Sequence, residues 1–315
     1  MHFRWNYEKP TPEQSQVAKE LAAKLCISPV LTSLLVKRGV TTECAAKRFF
    51  RPQLADLINP FVMKDMDIAV ERLNDAMGRK ERILVYGDYD VDGCTAVALV
   101  YKFLRQYYSN IDYYIPDRYD EGYGVSNRGI DYAKQTGVKL IIILDCGIKA
   151  IEEIAYAKSL GIDFIVCDHH MPDEQLPNAV AILNPKQDND PYPFKDLCGC
   201  GVGFKFMQAF AKNNGIPFSR LIPLLDFCAV SIAADLVPVV DENRILAFHG
   251  LKQLNQNPSI GLKAIIDTCG LTGRELSMSD IVFKIGPRIN ASGRMESGRE
   301  SVDLLVERDF GVALQ

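Results

Sequence analysis

The hydrophobic positions of this chain change rhythm near residue 80. From Asp65 to Met77 the apolar residues Met66, Ala69, Val70, Leu73, Ala76 and Met77 fall on one helical face. Asp65 and Asp67 sit in its first turn, where the helix dipole favours negative charge. Upstream, Ser28-Pro29 opens a helical segment that Gly39 closes, and another runs from about Cys44 to Phe50 ahead of Pro52. Residues 1–78 therefore read as a helical N-terminal region.

After Arg82 short β-branched runs alternate with helical ones. Strands are predicted at 83–86, 113–115, 140–144, 164–167 and 180–183, with helices near 95–108, 126–135 and 151–160. Strands separated by one helix length pair in parallel through right-handed crossovers. Residues 79–240 are thus expected to form an α/β domain, a mostly parallel β-sheet with helices on both faces. Residues 241–315 read as a helical extension of it, which the Gly/Ser/Arg-rich stretch Gly286 to Arg299 should break before a last apolar segment begins at Ser301. That segment reaches Gln315 without a cap although Val302, Leu305, Val306 and Phe310 have begun a stripe, so the chain reads as a fragment of something longer.

Composition narrows the class. With 48% hydrophobic and 24% charged residues, collagen, coiled coil and low-complexity chains are excluded. The formal charge of −4 does not advertise a nucleic-acid binder, although a local basic groove can hide inside a mildly acidic total. Nine cysteines at irregular positions point to a reducing, cytoplasmic setting. The N-terminus has no apolar signal core. The best membrane candidate, Leu221 to Val240, carries Asp226, Asp235, Pro223 and Pro238, which favours a buried helical stretch.

Three predicted strands run into acidic or imidazole side chains: Gly87-Asp-Tyr-Asp-Val-Asp-Gly93, Asp145-Cys-Gly147 and Asp168-His-His170. Ligands of open parallel sheets bind outside the carboxyl ends of the strands, so these groups should share one crevice. Capping uses one Asp per helix, and three in five residues beside paired histidines exceed that need. Asp88, Asp90 and Asp92 would repel one another without a cation. An EF-hand loop also opens Asp-x-Asp-x-Asp-Gly, but here the run follows a strand, and Leu99 stands where the bidentate Glu belongs. Carboxylates with imidazole and no thiolate favour Mn²⁺ or Mg²⁺ over structural zinc, and Cys198-Gly-Cys200 lacks a second pair at ligand spacing.

These residues, with Ile115-Pro-Asp-Arg118, Glu121-Gly-Tyr-Gly124, Leu183-Asn-Pro185, Cys198 to Phe204, Ala233 to Pro238 and Gly286 to Arg294, resemble the DHH phosphoesterase family. Within it the match is to its bacterial single-stranded-DNA-specific exonuclease branch. The resemblance implies two divalent cations, Mn²⁺ or Mg²⁺, held by first-motif carboxylates with Asp145, His169 and Asp235, Asp145 bridging. Among Asp88, Asp90 and Asp92, the latter two are favoured as ligands, with Asp88 a ligand or a supporting group. Asp168 would orient its neighbours, His170 would face the scissile phosphate, and Arg118, Arg288 and Arg294 are candidate phosphate binders. Tyr119 and Tyr123 could stack a base. The implied reaction is 5′-to-3′ hydrolysis of single-stranded DNA to 5′-mononucleotides in repair and recombination, with a helicase and a single-strand-binding protein as partners. The resemblance further implies a C-terminal substrate-binding domain that this chain stops short of. Alternatives are a small-substrate phosphodiesterase of the same family (oligoribonuclease, cyclic-dinucleotide phosphodiesterase or pyrophosphatase) and an inactive scaffold.

Overall fold

The computed structural model describes residues 4, 8–295 and 298–315, with the side chains of 292–295 outside the description. The chain divides into two compact units, Met1–Asp56 and Leu57–Gln315. The first consists of α1 (Pro12–Leu25), α2 (Pro29–Lys37) and α3 (Glu43–Phe50). Thr11, Ser28 and Thr42 each cap the following helix through the side-chain oxygen. A small core of Ala18, Leu21 and Val36 holds it together.

The second unit begins with α4 (Met66–Gly78). Sequence grouped this helix with the N-terminal region, but its buried stripe of Met66, Ala69, Val70, Leu73 and Ala76 packs inside the sheet-bearing unit. There follow β1 (Arg82–Gly87), α5 (Val91–Leu104), β2 (Ile111–Tyr114), α6 (Asn127–Gln135), β3 (Val138–Leu144), α7 (Ile151–Ser159), β4 (Asp163–Cys167) and β5 (Ala181–Leu183). All pairings are parallel, in the order β2-β1-β3-β4-β5. The parallel α/β sheet expected from the alternation is the observed one.

Both faces of the sheet are covered, which is why its strands read as unbroken apolar runs. Leu84, Tyr86, Ile141, Ile143, Phe164 and Val166 pack on one side with Ile130 and Ala133 of α6 and Ile154 and Ala157 of α7. The alternate residues Ile83, Val85, Leu140, Ile142 and Ile165 are equally buried, on the side where α4, α5 and α8 (Gly199–Asn213) lie. The chain passes from β1 outward to β2 and then back across to β3. The direction of winding reverses between the neighbouring strands β1 and β3, and open parallel sheets bind their ligands at the carboxyl ends of such a pair.

Beyond the sheet, α9 (Leu225–Ala234) is the buried helix expected within Leu221 to Val240, but the end of that range leaves the helix and is exposed at Leu236, Val239 and Val240. Then come α10 (Asp241–Gln256), α11 (Ile260–Thr268), the short α12 (Met278–Asp280), a π-helical turn at Ile281–Ile285, α13 (Gly286–Met295), α14 (Gly298–Val306) and α15 (Phe310–Ala313). Of the stretch Gly286 to Arg299, expected to break the helical pattern, the described residues are helical, in α13 and α14. Pro287 sits directly after the π-helical turn Ile281–Ile285, a place where the helix already departs from regular i→i−4 bonding. No helix among the described residues is long and apolar enough to cross a membrane.

Candidate metal centre

Each strand end delivers its side chain by a different local device. Asp88 leaves β1 fully buried, one oxygen accepting Gly124 N–H at 3.3 Å and Oδ2 unpartnered. Asp90 caps α5, accepting Gly93 N–H at 2.9 Å. Asp92, in the first turn of α5, accepts the N–H groups of Gly199 and Cys200 at 2.6 and 2.7 Å and the Ser231 hydroxyl at 2.7 Å. Those two amides are the free N-terminus of α8, a natural seat for a carboxylate. Asp145 leaves β3 in the left-handed region at φ 62°, a strained conformation for a non-glycine residue. A Cβ on Gly199 would stand 2.5 Å from Asp145 Oδ1, so only glycine lets α8 start this close.

The histidines after β4 have different surroundings. His169 is buried, its Nε2 3.0 Å from Asp145 Oδ1 and 3.7 Å from both Asp92 Oδ2 and Asp235 Oδ2. At 3.0 Å the first pair still lacks hydrogen-bond alignment: Asp145 Oδ1 and both ring nitrogens of His169 have no partner. His170 is half-exposed and held by Asp168, whose Oδ1 is 2.7 Å from His170 Nδ1. That oxygen also accepts the amides of His169 and His170, while Oδ2 accepts Ile148 N–H. On its other side, His170 Nε2 lies 3.4 Å from the Tyr123 hydroxyl, which donates to Asp145 O at 3.2 Å.

Electrostatics separate the acids into two kinds. Burial, reinforced by Asp90, pushes the Asp88 carboxyl up to about 7, and burial with Asp92 and Asp90 does the same to Asp235. Asp90 is raised by burial and Asp92, and Asp145 rises well above the carboxylate range through burial and its acidic neighbours. Asp168 departs from this pattern: burial opposes its charge, but the His170 ring and the Ile148 and His170 amides hold it below its usual value. His170 is raised in return, chiefly by its bond to Asp168, whereas burial lowers His169.

Buried carboxylates that resist ionisation and oxygens without partners are what a cation would relieve. Two overlapping sets offer ligand atoms within 4.8 Å of one another, Asp145 with His169 and His170, and Asp92 with His169 and Asp235. Oxygen and imidazole donors suit Mn²⁺ or Mg²⁺. Cys198, by contrast, caps α8 with its Sγ toward Gly201 N–H at 3.2 Å.

Residues 82–232 match the DHH family, N-terminal domain. The chain carries a DHH domain. That domain runs from β1 into α9 and contains Asp88, Asp90, Asp92, Asp145, Asp168, His169 and His170, while Asp235 follows it directly. Along its length the chain is 41% identical to the single-stranded-DNA-specific exonuclease RecJ of Bacillus subtilis, covering 98% of this chain and 38% of that protein. It is 36% identical to RecJ of Escherichia coli, covering 91% of this chain and 51% of that one. The crystal structure of RecJ in complex with Mn²⁺ from Thermus thermophilus matches with a TM-score of 0.80 at 26% identity, over 95% of this chain and 42% of its own. The chain thus spans about half or less of the curated relatives it matches.

The expected site residues distribute unevenly around the DHH domain. Asp88, Asp90, Asp92, Asp145, Asp168, His169, His170 and Asp235 come together at the strand ends. Arg118 lies over the ring of Tyr89, between two of the acids in sequence, at 5.1 Å. Arg288 is exposed on α13 and its guanidinium donates to Lys284 O of its own helix at 3.1 Å, so no described contact joins it to the acids. The side chain of Arg294 lies outside the described residues. Sequence reasoning missed Ser231, although a single hydroxyl in the apolar run of α9 is a signal, and it missed the α8 amides that seat Asp92.

Proposed function

We propose that this chain supplies the metal-dependent hydrolytic centre of a single-stranded-DNA exonuclease that works from the 5′ end, releases 5′-mononucleotides and serves repair and recombination in the cytoplasm. The observation that carries it is the facing, unpartnered pair Asp145 Oδ1 and His169 Nε2 among carboxylates that burial has pushed up. The names of its relatives supply the substrate class. A helicase and a single-strand-binding protein fit the same reading as partners.

In this reading Asp88, Asp90, Asp92, Asp145, His169 and Asp235 would hold two divalent cations, Mn²⁺ or Mg²⁺. Bound there, the cations would activate water and neutralise charge on the oxygens of an in-line displacement at phosphorus. The chain's own part is positional and electrostatic. Asp168, ionised and fixed by three backbone N–H groups, orients His170 through Nδ1 and favours the protonated ring. The Nε2 edge, 3.4 Å from the Tyr123 hydroxyl, would then face the scissile phosphate, where a proton can stabilise developing charge or pass to the leaving oxygen. Arg118 can grip a phosphate with two N–H groups while it remains over the Tyr89 ring.

The test incubates the chain with Mn²⁺ and, in parallel, a 5′-phosphorylated single strand, the same strand as duplex, and a cyclic dinucleotide, with Asp145→Ala as control. Mononucleotides from the single strand, absent in the control, are the expected result. Cleavage of the cyclic dinucleotide with the single strand untouched would replace this reading by the small-substrate one.

A further inference from the structure

We propose that Glu121 is the positioning residue for phosphate binding: its carboxylate fastens the loop between β2 and α6 so that Arg118 is held at the rim of the metal centre. The inference rests on the function proposed above, which supplies the phosphate that Arg118 would grip. Glu121 itself touches neither the acid cluster nor Arg118. It acts through the backbone that carries the arginine.

The loop spans residues 115–126, and its fastenings converge on one side chain. Glu121 Oε1 accepts Asp117 N–H at 3.0 Å, Oε2 accepts the Ser126 hydroxyl, and the Tyr114 hydroxyl lies 3.0 Å from both oxygens. One carboxylate therefore ties the last residue of β2, the entry of the turn and the cap of α6. Asp117 answers it: its carbonyl accepts Glu121 and Gly122 N–H at 2.9 and 3.2 Å, and its side chain accepts Tyr119 and Asp120 N–H at 2.8 and 2.9 Å. Arg118 thus sits inside a turn closed on both sides by Asp117, and Asp117 is fixed by Glu121. At the far end, Gly124, at φ 84°, donates N–H to Asp88 and its carbonyl accepts the Tyr86 hydroxyl at 3.0 Å. The loop consequently carries a structural clamp at Glu121 and a contact with the acid cluster at Gly124, and Arg118, just upstream of the clamp, lies over the Tyr89 ring.

A clamp of this kind has a particular signature. A charge-assisted network that accepts three separate donors orders the loop before substrate arrives, so losing it weakens substrate capture rather than the hydrolytic step. The acid cluster meets the loop at its far end, through Gly124 N–H on Asp88 and the Tyr123 hydroxyl, and that end keeps its own fastening to the Tyr86 hydroxyl when Glu121 is lost.

The experiment compares wild type, Glu121→Ala, Glu121→Gln, Arg118→Ala and the double variant Glu121→Ala/Arg118→Ala. Four readouts are taken: the Mn²⁺ binding isotherm, amide hydrogen exchange across residues 115–126, KM and kcat on single-stranded DNA, and Kd for a phosphorothioate-linked strand that resists hydrolysis. Expected for Glu121→Ala are faster exchange across the loop, an unchanged Mn²⁺ isotherm, a KM and Kd raised about tenfold, and kcat within about twofold. Glu121→Gln keeps one acceptor oxygen and should fall between. The double variant should bind no more weakly than Arg118→Ala alone, because both lesions remove the same grip. Unchanged exchange, faster exchange with unchanged Kd, or additive losses in the double variant would each overturn the proposal. A wild type that cleaves no single strand would overturn the exonuclease reading instead, and Kd with the exchange data would still decide the role of Glu121.

Discussion

Lys205 offers the sharpest test of how the second unit is held together. Its side chain is fully buried on α8 and its Nζ donates to Glu242 Oε1 on α10 at 3.0 Å and to Ile58 O at 2.5 Å. Glu242 in turn accepts Ile58 N–H at 2.9 Å and the Tyr192 hydroxyl. Burial lowers the Lys205 ammonium and Glu242 opposes the shift, so the two charges depend on each other. Lys205→Met leaves a buried carboxylate with only neutral donors and strips Ile58 O of its partner. The expected cost is about 3–5 kcal/mol, the range for an uncompensated buried charge. Lys205→Met/Glu242→Gln removes the charge while an amide can still accept one donor and give an N–H to Ile58 O. The double variant should therefore recover roughly 2 kcal/mol of the single loss. Urea denaturation followed by far-UV circular dichroism measures both. A single variant costing under ~1 kcal/mol, or a double variant costing more than the single, would refute the reasoning that charge rather than shape dominates there.

The metal centre and the core give further expectations. Without metal, Asp145→Asn should melt higher than wild type, because it removes a buried carboxylate crowded by Asp92 and Asp90, while Mn²⁺ at about 100 times its Kd should add roughly 2.7 kcal/mol to wild type and much less to the variant. Gly199→Ala should leave the circular dichroism spectrum intact but weaken Mn²⁺ binding in a calorimetric titration, since its Cβ must displace Asp145; unchanged affinity would show that the approach is slack. Asp226 is buried in α9 and its carboxyl is pushed up to about 6, by burial first. With the folded pKa above the unfolded value, its stabilising share is full below about pH 4 and is lost as pH rises through 6, up to roughly 3 kcal/mol. The difference in unfolding free energy between wild type and Asp226→Asn should therefore change across pH 4–6, and a flat difference would contradict the shift.

The sheet was legible because its inner strands are buried on both faces, so apolar runs such as Leu140 to Leu144 mark their own ends, whereas the edge strand β2 alternates, with Asp112 and Tyr114 half-buried. The acids were legible for the same reason, since polar residues directly after such runs have to lie at the strand ends. Where one residue has two duties, the reading slipped. Asp90 is both a candidate ligand and the cap of α5, so the helix begins at Val91 rather than near Thr95. Glycines misled at Gly286 to Arg299, where α13 and α14 pack in spite of them. The seats of Asp92 at Gly199, Cys200 and Ser231 lie 107, 108 and 139 residues away along the chain. Local pattern carries no information at that range, and only the packing of α5, α8 and α9 brings them together.

The acids at the strand ends are unequal in what else depends on them. Asp88 keeps an oxygen with no partner, whereas Asp92 fastens the start of α8 and the Ser231 hydroxyl of α9 to α5. A descendant of this chain that abandoned hydrolysis and drifted toward a scaffold could shed Asp88 or His169 at little structural expense. It would have to keep Asp92, or rebuild the junction of three helices. A lone aspartate at this position in a distant relative is therefore poor testimony to activity, and the residues to inspect for lost chemistry are those that the fold itself could spare.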